Sequence, residues 1–460
     1  MLLSYSFKNF RSYYDKQVFS LKVSSNISNS IPINQTLVEK NLAAARSSIV
    51  LGYNGTGKSN FIHSLLYLIY LMKASFVNSS NKQPIFYSYE KFRLSKKAVA
   101  EPMEFNVEFI ANDNNLYDYY LNVNGDKNGM IINQEKLTRR LYTKKERLSS
   151  PQLLFLREKE KILTADNKII LFFQTIGLNP SILVMSYFMG EMYINNEAYN
   201  ILKPVKEWFN NIYIINADRD IQLPIDNLND EYLNKITKIM KKYSMTIDKL
   251  AVERSKLDIL PEELSTPQQA LNTLRHKYPN SIIQGIISIS PTGVYSQNLN
   301  TIYRLIDSDE TISSSVFDNA KPLVSNGEKK LIFLLPYIFE TLKKGSLLII
   351  DEFDSSLNKI IAGYILDIFN DKDINKNFAQ IILTTQNELF VDHEGIVKEQ
   401  IFLTSKNNDG KSQIRNLSEI SKDADKKAYR NGLKLSTYIA NEVEESYPKL
   451  KYEDIKNILI

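Results

Sequence analysis

The stretch from Leu51 to Asn60 reads LGYNGTGKSN and contains G-x-x-x-x-G-K-[ST] in full, with Gly52, Gly57, Lys58 and Ser59 at the fixed positions. Its flanks have the right types. Ser48 to Leu51 is a short apolar run of strand character, and Phe61, Ile62, Leu65, Leu66, Leu68, Ile69 and Met72 recur at helical spacing. Strand, glycine loop and helix in that order make a cradle for phosphate. Backbone N–H groups and the helix N-terminus face the anion, Lys58 reaches the β- and γ-phosphates, and the Ser59 hydroxyl ligates Mg²⁺. The expected ligands are therefore a nucleotide phosphate and Mg²⁺, bound through Asn54, Gly55, Thr56, Gly57, Lys58, Ser59 and Asn60.

Chemistry returns after residue 320. Leu347-Leu-Ile-Ile350 has the look of a buried strand and ends in two carboxylates, Asp351 and Glu352. Many core strands end in acids, so the pair is weak alone; downstream of a phosphate cradle it is strong. Both fall at the C-terminal end of their strand, where α/β sheets place ligands. Val324-Ser-Asn-Gly-Glu328 opens a helix over Lys329 to Leu342, with Ser325 and Glu328 spaced as a capping box. Ser355 to Asn358 leads into a helix reaching Phe369. Gln380 to Gln386 and Gln400 to Thr404 read as further strands, before a lysine-rich helical tail over 421–460.

Taken together these elements resemble the ABC-type ATPases of the SMC and RecF class. The resemblance makes the first stretch Walker A and Leu347 to Glu352 Walker B. Val324 to Glu328 is similar to the LSGGQ signature, keeping Ser325 and Gly327 and departing at Val324, Asn326 and Glu328. It implies that Ser325, Asn326, Gly327 and Glu328 meet the γ-phosphate of a nucleotide held by another subunit. Ser355 to Asn358 is similar to the D-loop SALD, with Asn358 for the final Asp. Gln386 falls where the class carries its switch histidine. Glutamine hydrogen-bonds phosphate or water but does not titrate near neutral pH, which implies slow or partner-stimulated hydrolysis. Asn9-Phe10-Arg11-Ser12 matches an N-terminal element whose arginine approaches nucleotide, so Arg11 joins the expected site. Gln134 is the candidate for the Q-loop. The implied catalytic set is Glu352, Lys58 and Gln386; the metal set is Ser59 and Asp351.

The rest of the chain divides around these motifs. Alternation at Leu3, Tyr5 and Phe7, then Val18, Phe19 and Leu21, predicts a hairpin around Asn9–Ser12. Residues 74–104 read as loop. Phe105–Ile110, Tyr117–Val123 and Met130–Ile132, separated by Asn-Asp-Asn-Asn and Asn-Gly-Asp-Lys-Asn-Gly, predict an antiparallel meander. Residues 145–280 read as mainly helical. Tyr232, Leu233, Ile236, Ile239 and Met240 mark one amphipathic helix, and Pro204 starts or breaks another that carries Val205 and Trp208. Ser281–Ser290 and Thr301–Ile306 read as strands. The fold class is α/β: an ABC-type, SMC/RecF-like P-loop ATPase head with an antiparallel meander and a mostly helical insert between the Walker A and signature lobes. The expected domains are an N-terminal ATPase lobe at 1–144, the insert at 145–319, a C-terminal ATPase lobe at 320–405 and the tail at 406–460.

The 460 residues and 43% hydrophobic content are enough for a full core. With no cysteine, disulfides and thiolate metal sites are excluded. His63, His276 and His393 are far apart, which argues against a histidine metal centre. No apolar run approaches the ~18 residues of a spanning helix, and Met1-Leu-Leu-Ser-Tyr-Ser-Phe7 lacks the features of a signal peptide. A cytoplasmic protein with no membrane partner is expected. The net charge of +5 is mild, but Lys136 to Lys161 concentrates Arg139, Arg140, Lys144, Lys145, Arg147, Arg157 and Lys159. That run is either a solvated face or a contact for DNA backbone.

There is no sustained heptad, so no coiled coil is expected. A compact head without one resembles the OLD-type ATPases of bacteria, and Tyr429-Arg-Asn-Gly432 is similar to their Y-x-x-G ending. Relatives of this kind include the sensor subunits of PARIS and AbiL abortive-infection systems. That resemblance implies an ATP-dependent switch that forms a dimer or higher homo-oligomer through composite ATP sites, controls a separate nuclease or toxin effector, and answers to a phage-encoded trigger. OLD proteins proper carry a fused nuclease; the roughly 55 residues after the last ATPase strand are too few for one. The alternative is a RecF/SMC-like ATPase acting on DNA in repair or maintenance. A transporter subunit fits poorly with the Asn9–Ser12 element and the long interval between Walker A and signature.

Overall fold

The structure, a computed structural model, describes residues 1–24, 35–39, 42–80, 90–126, 129–142, 148–215, 230–244, 246–257, 286–290, 293–316, 323–423, 435–436 and 439. The chain divides into two units. Unit 1 comprises Met1–Ala217, Thr341–Asp354 and Lys359–Ile460; unit 2 comprises Asp218–Glu340 and Ser355–Asn358. This differs from the expected lobes. Residues 145–217 group with the Walker A segment, and the signature stretch groups with the remainder of the insert.

Unit 1 begins with the expected hairpin, β1 (Leu2–Lys8) and β2 (Gln17–Ser20), paired from Ser4↔Ser20 to Phe7↔Gln17. A small sheet of β3 (Lys22–Ser24), β4 (Gln35–Glu39) and β5 (Leu42–Ala45) follows, and β6 (Ser47–Leu51) delivers the chain to the glycine loop. Helix α1 (Lys58–Ser80) is a full turn and more longer than its apolar spacing indicates, and α2 (Lys96–Ala100) starts on a Ser95 cap. Next come β7 (Met103–Ile110), β8 (Leu116–Asp126), β9 (Gly129–Arg140), β10 (Gln152–Glu158) and β11 (Lys161–Ala165). They zigzag into a seven-stranded sheet ordered β11-β10-β9-β8-β7-β1-β2. The strict alternation of buried and half-buried residues along β7 is the period-2 signature of a sheet packed on one face. The meander is thus longer than predicted: β10 and β11 extend it through residues expected to be helical.

Helices α3 (Asn167–Ile176), α4 (Val184–Met189) and α5 (Glu197–Asn210) cover that sheet before β12 (Ile212–Ile215). Pro204 lies inside α5, which begins at its Asn196 cap, so the proline neither starts nor ends the helix. Trp208 of α5 stacks on Phe109 of β7 at 4.0 Å between ring centres.

Unit 2 holds α6 (Asp230–Ser244), whose buried Tyr232, Leu233, Ile236 and Met240 are the predicted stripe. After it come β13 (Ile247–Leu257), β14 (Ile286–Ser290), β15 (Gly293–Arg304) and β16 (Thr311–Ser315). In this antiparallel sheet β15 pairs β13 throughout, and β14 and β16 in turn. Among the described residues the insert is therefore mixed α and β rather than mostly helical. The run Ile247–Leu257 carries five charged residues, Asp248, Lys249, Glu253, Arg254 and Lys256, and so does not show as an apolar strand. The boundary between the units falls within α7 (Asn326–Lys344).

The chain then completes the central sheet with β17 (Leu347–Ile350), α8 (Lys359–Asn370), β18 (Gln380–Thr385), β19 (Ile401–Lys406) and β20 (Ser412–Asn416), ending on α9 (Leu417–Asp423). The sheet order is β12-β17-β18-β6-β19-β20, with every pair parallel except β19–β20. Strands β6, β17 and β18 are buried along their whole length. That is the reason they read as continuous apolar runs. Gln400 belongs to a short 3-10 turn ahead of β19, one residue outside the strand expected there. The Tyr429–Gly432 ending lies outside the described residues.

Candidate functional site

Parallel strands carry their loops at the same edge. In register, Thr385 pairs Leu51 and Leu383 pairs Ile350. The glycine loop, the Asp351–Glu352 pair and Gln386 therefore emerge side by side, with the Gln386 strand between the other two. Sequence separation of about 300 residues between Lys58 and Asp351 collapses to neighbouring strand ends.

The loop is tightly held. Gly55 and Gly57 have φ of +80° and +119°, in the region that favours glycine. A Cβ at Gly57 would lie 2.8 Å from Ser412 Oγ and 2.9 Å from Tyr13 Oη. Asn54 and Gly55 are exposed at the tip. Thr56 Oγ1 donates to Tyr53 O at 2.8 Å and meets Thr404 Oγ1 of β19 at 2.7 Å. Lys58 folds back, its ammonium donating to Gly52 O at 2.6 Å and Tyr53 O at 3.0 Å. Burial holds that ammonium below its ordinary value, and Asp351, Glu352 and Asp354 pull it back up. Bound phosphate would do the same. Ser59 is half-buried at the helix start, and Asn60 Nδ2 donates to Ser12 Oγ at 2.8 Å.

The N-terminal hairpin turn clasps this loop from one side. Tyr13 Oη donates to Gly57 O at 3.1 Å, and Ser412 N to Ser12 O at 2.8 Å. Arg11 lies along the first turns of α1, 2.6 Å from His63 Nδ1, and forms a two-pronged ion pair with Glu90. So the expected nucleotide-side arginine sits beside the P-loop helix in the grip of an acid.

Asp351 is buried, and its Oδ1 accepts from Thr384 Oγ1. The same hydroxyl accepts from Glu352 N at 2.9 Å, and Phe353 N donates to Thr384 O at 3.0 Å. Glu352 itself has φ of +47°. Gln386 is exposed at the strand end, and two residues on Glu388 accepts from the hydroxyl of Tyr53 in the glycine loop. Ser59 and Asp351 offer a hydroxyl and a carboxylate, hard oxygen donors of the kind Mg²⁺ takes alongside phosphate and water. Among the described residues there is no group of three or more His, Cys, Asp or Glu placed to hold a metal by themselves.

The signature residues belong to unit 2. Ser325 and Glu328 form the capping box in full: Ser325 N donates to Glu328 Oε2 at 2.7 Å and Glu328 N to Ser325 Oγ at 3.3 Å. Burial pushes the Glu328 carboxyl up, but hydrogen bonds from Ser244 and Ser325 outweigh it and leave it below its usual value. Ser325 and Asn326 are exposed. A Cβ at Gly327 would lie 2.7 Å from Ser356 O, so the D-loop backbone leaves room only for glycine. Lys330 Nζ donates to both Ser355 O and Ser355 Oγ at 2.7 Å.

Two expectations change. Gln134 is within β9, its amide donating to Glu158 at 3.2 Å, and is not on a loop. The basic run is not one face: Arg157 is fully buried, donating to Pro180 O at 2.6 Å and Lys159 O at 2.8 Å, with Ile182 O and Asn179 O beside them. Arg139 and Arg140 donate to Gln152 and Ser149 O. Lys144, Lys145 and Arg147 lie outside the described residues. Sequence reasoning passed over Tyr13, Thr404 and Thr384. Thr384 had a signal, a hydroxyl following three aliphatic residues in its strand.

Residues 213–392 match the family model of an AAA domain described as putative AbiEii toxin, Type IV TA system. The match takes in the signature, Asp351, Glu352 and Gln386 and stops short of the glycine loop. A search of curated proteins finds no match to the sequence. Among solved structures, the chain is similar to the SmcHead in a crystal structure of that head bound to the C-winged helix domain of ScpA. The identity is 14% and the TM-score 0.39, over 92% of this chain and 99% of the other. Strand order, motif placement and the family match agree on an ABC-type P-loop ATPase fold. Among the described residues no helix is long and apolar enough to cross a membrane.

Proposed function

We propose that this chain is an ATP-binding and ATP-hydrolysing switch that closes on itself through composite sites. The observation that carries this is the shared edge of β17, β18 and β6. It sets a glycine loop with a buried lysine beside two carboxylates of which the first is buried and the second half-buried. Lys58, drawn by Asp351 and Glu352, neutralises charge on the β- and γ-phosphates. Glu352 takes the proton of the attacking water as its oxygen bonds the γ-phosphorus and the bond to the bridging oxygen breaks, giving ADP and phosphate. Bound through Ser59 and Asp351, Mg²⁺ supplies charge neutralisation and orientation of the phosphates. Gln386 orients water or phosphate without titrating.

The exposed Ser325–Asn326 helix start is open to a second copy, and its N-terminus suits a γ-phosphate. The role we assign is regulator of a separate toxin or nuclease effector in antiphage defence. The toxin–antitoxin description of the matched family and the compact, heptad-free head support it. The DNA-maintenance reading is weaker, because Arg157 is buried in the basic run that favoured it.

The test pairs two variants. Lys58→Ala should lose ATP binding, and Glu352→Gln should bind ATP, turn it over at least ~100-fold more slowly and accumulate as an oligomer on size exclusion. Co-expressed with the product of the neighbouring gene, Glu352→Gln should hold or release that protein according to nucleotide. Turnover by Lys58→Ala at the unmodified rate would remove the site assignment. Co-purification of DNA alone, lost at moderate salt, would return the DNA reading.

A further inference from the structure

We infer that Thr384 is a positioning residue that sets both Walker B carboxylates for Mg²⁺ and water. The inference rests on the ATPase reading and adds to it a residue that no motif contains. Thr384 is fully buried on β18, between the strands of the two Walker motifs. Its hydroxyl has one proton to give and lone pairs to receive with. The proton goes to Asp351 Oδ1, and a lone pair receives Glu352 N–H at 2.9 Å. Its carbonyl receives Phe353 N–H at 3.0 Å. Three consecutive residues after β17 are thus fastened to one residue of β18.

The consequence is geometric. With Oδ1 of Asp351 taken by the hydroxyl, the carboxylate plane is fixed and the other oxygen is left for the cation or a water upon it. The bond to Glu352 N holds that residue at φ +47°, a conformation a glutamate adopts only under constraint. At that turn Glu352 is half-buried while Asp351 stays buried. A neutral hydroxyl donor also leaves the carboxylate its full charge, as a lysine or arginine there would not. Second partners of metal ligands of this kind typically contribute roughly 10- to 100-fold in metal affinity or activity.

Thr384→Val keeps the β-branched shape and removes the hydroxyl; Thr384→Ser keeps the hydroxyl and removes the methyl. Binding of a fluorescent ATP analogue is titrated with Mg²⁺, with EDTA as the metal-free arm, and melting temperature is followed in parallel. Thr384→Val should need roughly 10-fold or more Mg²⁺ for the same binding while metal-free affinity stays within about two-fold, and Thr384→Ser should restore the response. If both variants respond to Mg²⁺ as the unmodified protein does, or Thr384→Ser loses as much as Thr384→Val, the hydroxyl does not position the pair. If the unmodified protein binds Mg²⁺-ATP no better than Lys58→Ala does, the ATPase reading fails and this inference falls with it, a case distinct from a loss confined to Thr384→Val.

Discussion

Tyr13→Phe isolates one hydrogen bond behind the phosphate cradle. Tyr13 is fully buried, and its hydroxyl donates to Gly57 O at 3.1 Å. Burial pushes the phenol far up, so it remains a donor at every working pH. Gly57 O also accepts from Phe61 N at 2.9 Å, so the substitution leaves no orphaned carbonyl. The loss is then the net value of one bond, about 1 kcal/mol, without a desolvation penalty on top. A planar trans peptide fixes the direction of its N–H once its C=O is pinned. Here that N–H is Lys58 N, which points to the opposite side from Tyr13, into the loop. If the whole loss falls on loop geometry, ATP affinity drops about five-fold, since 1.4 kcal/mol is ten-fold. Calorimetric titration with ATP, ADP and AMP checks it. ATP and ADP should weaken together, and AMP, which does not reach the Lys58 N–H, should not. Unchanged ATP affinity in a folded Tyr13→Phe protein, or an equal loss for AMP, would refute the reasoning.

Gly327→Ala pushes a Cβ against the Ser356 carbonyl and should weaken ATP-driven assembly while ATP binding to Walker A persists, read by calorimetry beside size exclusion. Overpacking of this kind costs about 1–3 kcal/mol. Arg157→Met takes the donor from the carbonyls of Lys159, Asn179, Pro180 and Ile182 and removes the cation that draws the buried Glu135 carboxyl down against the upward push of burial, and should cost about 3–5 kcal/mol in urea denaturation. Adding Glu135→Gln should recover part of it, and a single-variant loss under about 1 kcal/mol would contradict the assignment. Glu328, held below its ordinary 4.5, contributes stability that is present above that value and lost as pH falls through the lower folded one. The melting difference between the unmodified protein and Glu328→Gln should shrink from pH 6 to pH 3; a constant difference would count against the capping charge.

What could be read from the sequence follows how local its cause is. The strand–loop–helix at Ser48–Met72 is one unit with turn, anion and apolar signals within a short span, and it formed where expected. The capping box at Ser325–Glu328 is equally local and is complete. The strands β10 and β11 were missed because Leu153, Leu154 and Phe155 are followed by Arg157, a charge inside the core. Nothing in the run says that its guanidinium meets backbone carbonyls of residues 179–182. Glu135 shows the same difficulty from the other side: it accepts from Val184 N at 2.7 Å and Tyr119 Oη at 3.0 Å, closing a helix start some fifty positions away. The division of the chain escaped for a related reason, since residues 148–215 pack with strands far earlier in the chain.

Strand β18 explains why the chemistry can be so exact about three loops at once. At its start, the buried Gln380 amide donates to Leu2 O at 3.0 Å and Ala45 O at 2.9 Å, and its oxygen accepts Leu2 N. At its end, Thr384 holds Asp351 and Glu352. The neighbouring strand starts are stitched in the same way, with Gln400 Nε2 donating to Ser47 O at 3.0 Å and Ser47 Oγ to Asn370 Oδ1 at 2.8 Å. Aliphatic residues between these ends supply burial but little register, because sliding a run such as Ile381-Ile-Leu383 by two residues would bury much the same surface. The polar residues remove that freedom: a two-residue slip would leave the Gln380 amide without its carbonyls and Asp351 without its donor, each a buried group deprived of a partner. The costly polar positions are therefore at the two ends of the strand. One end fixes the register, and the other converts that register into the placement of a carboxylate pair beside Lys58.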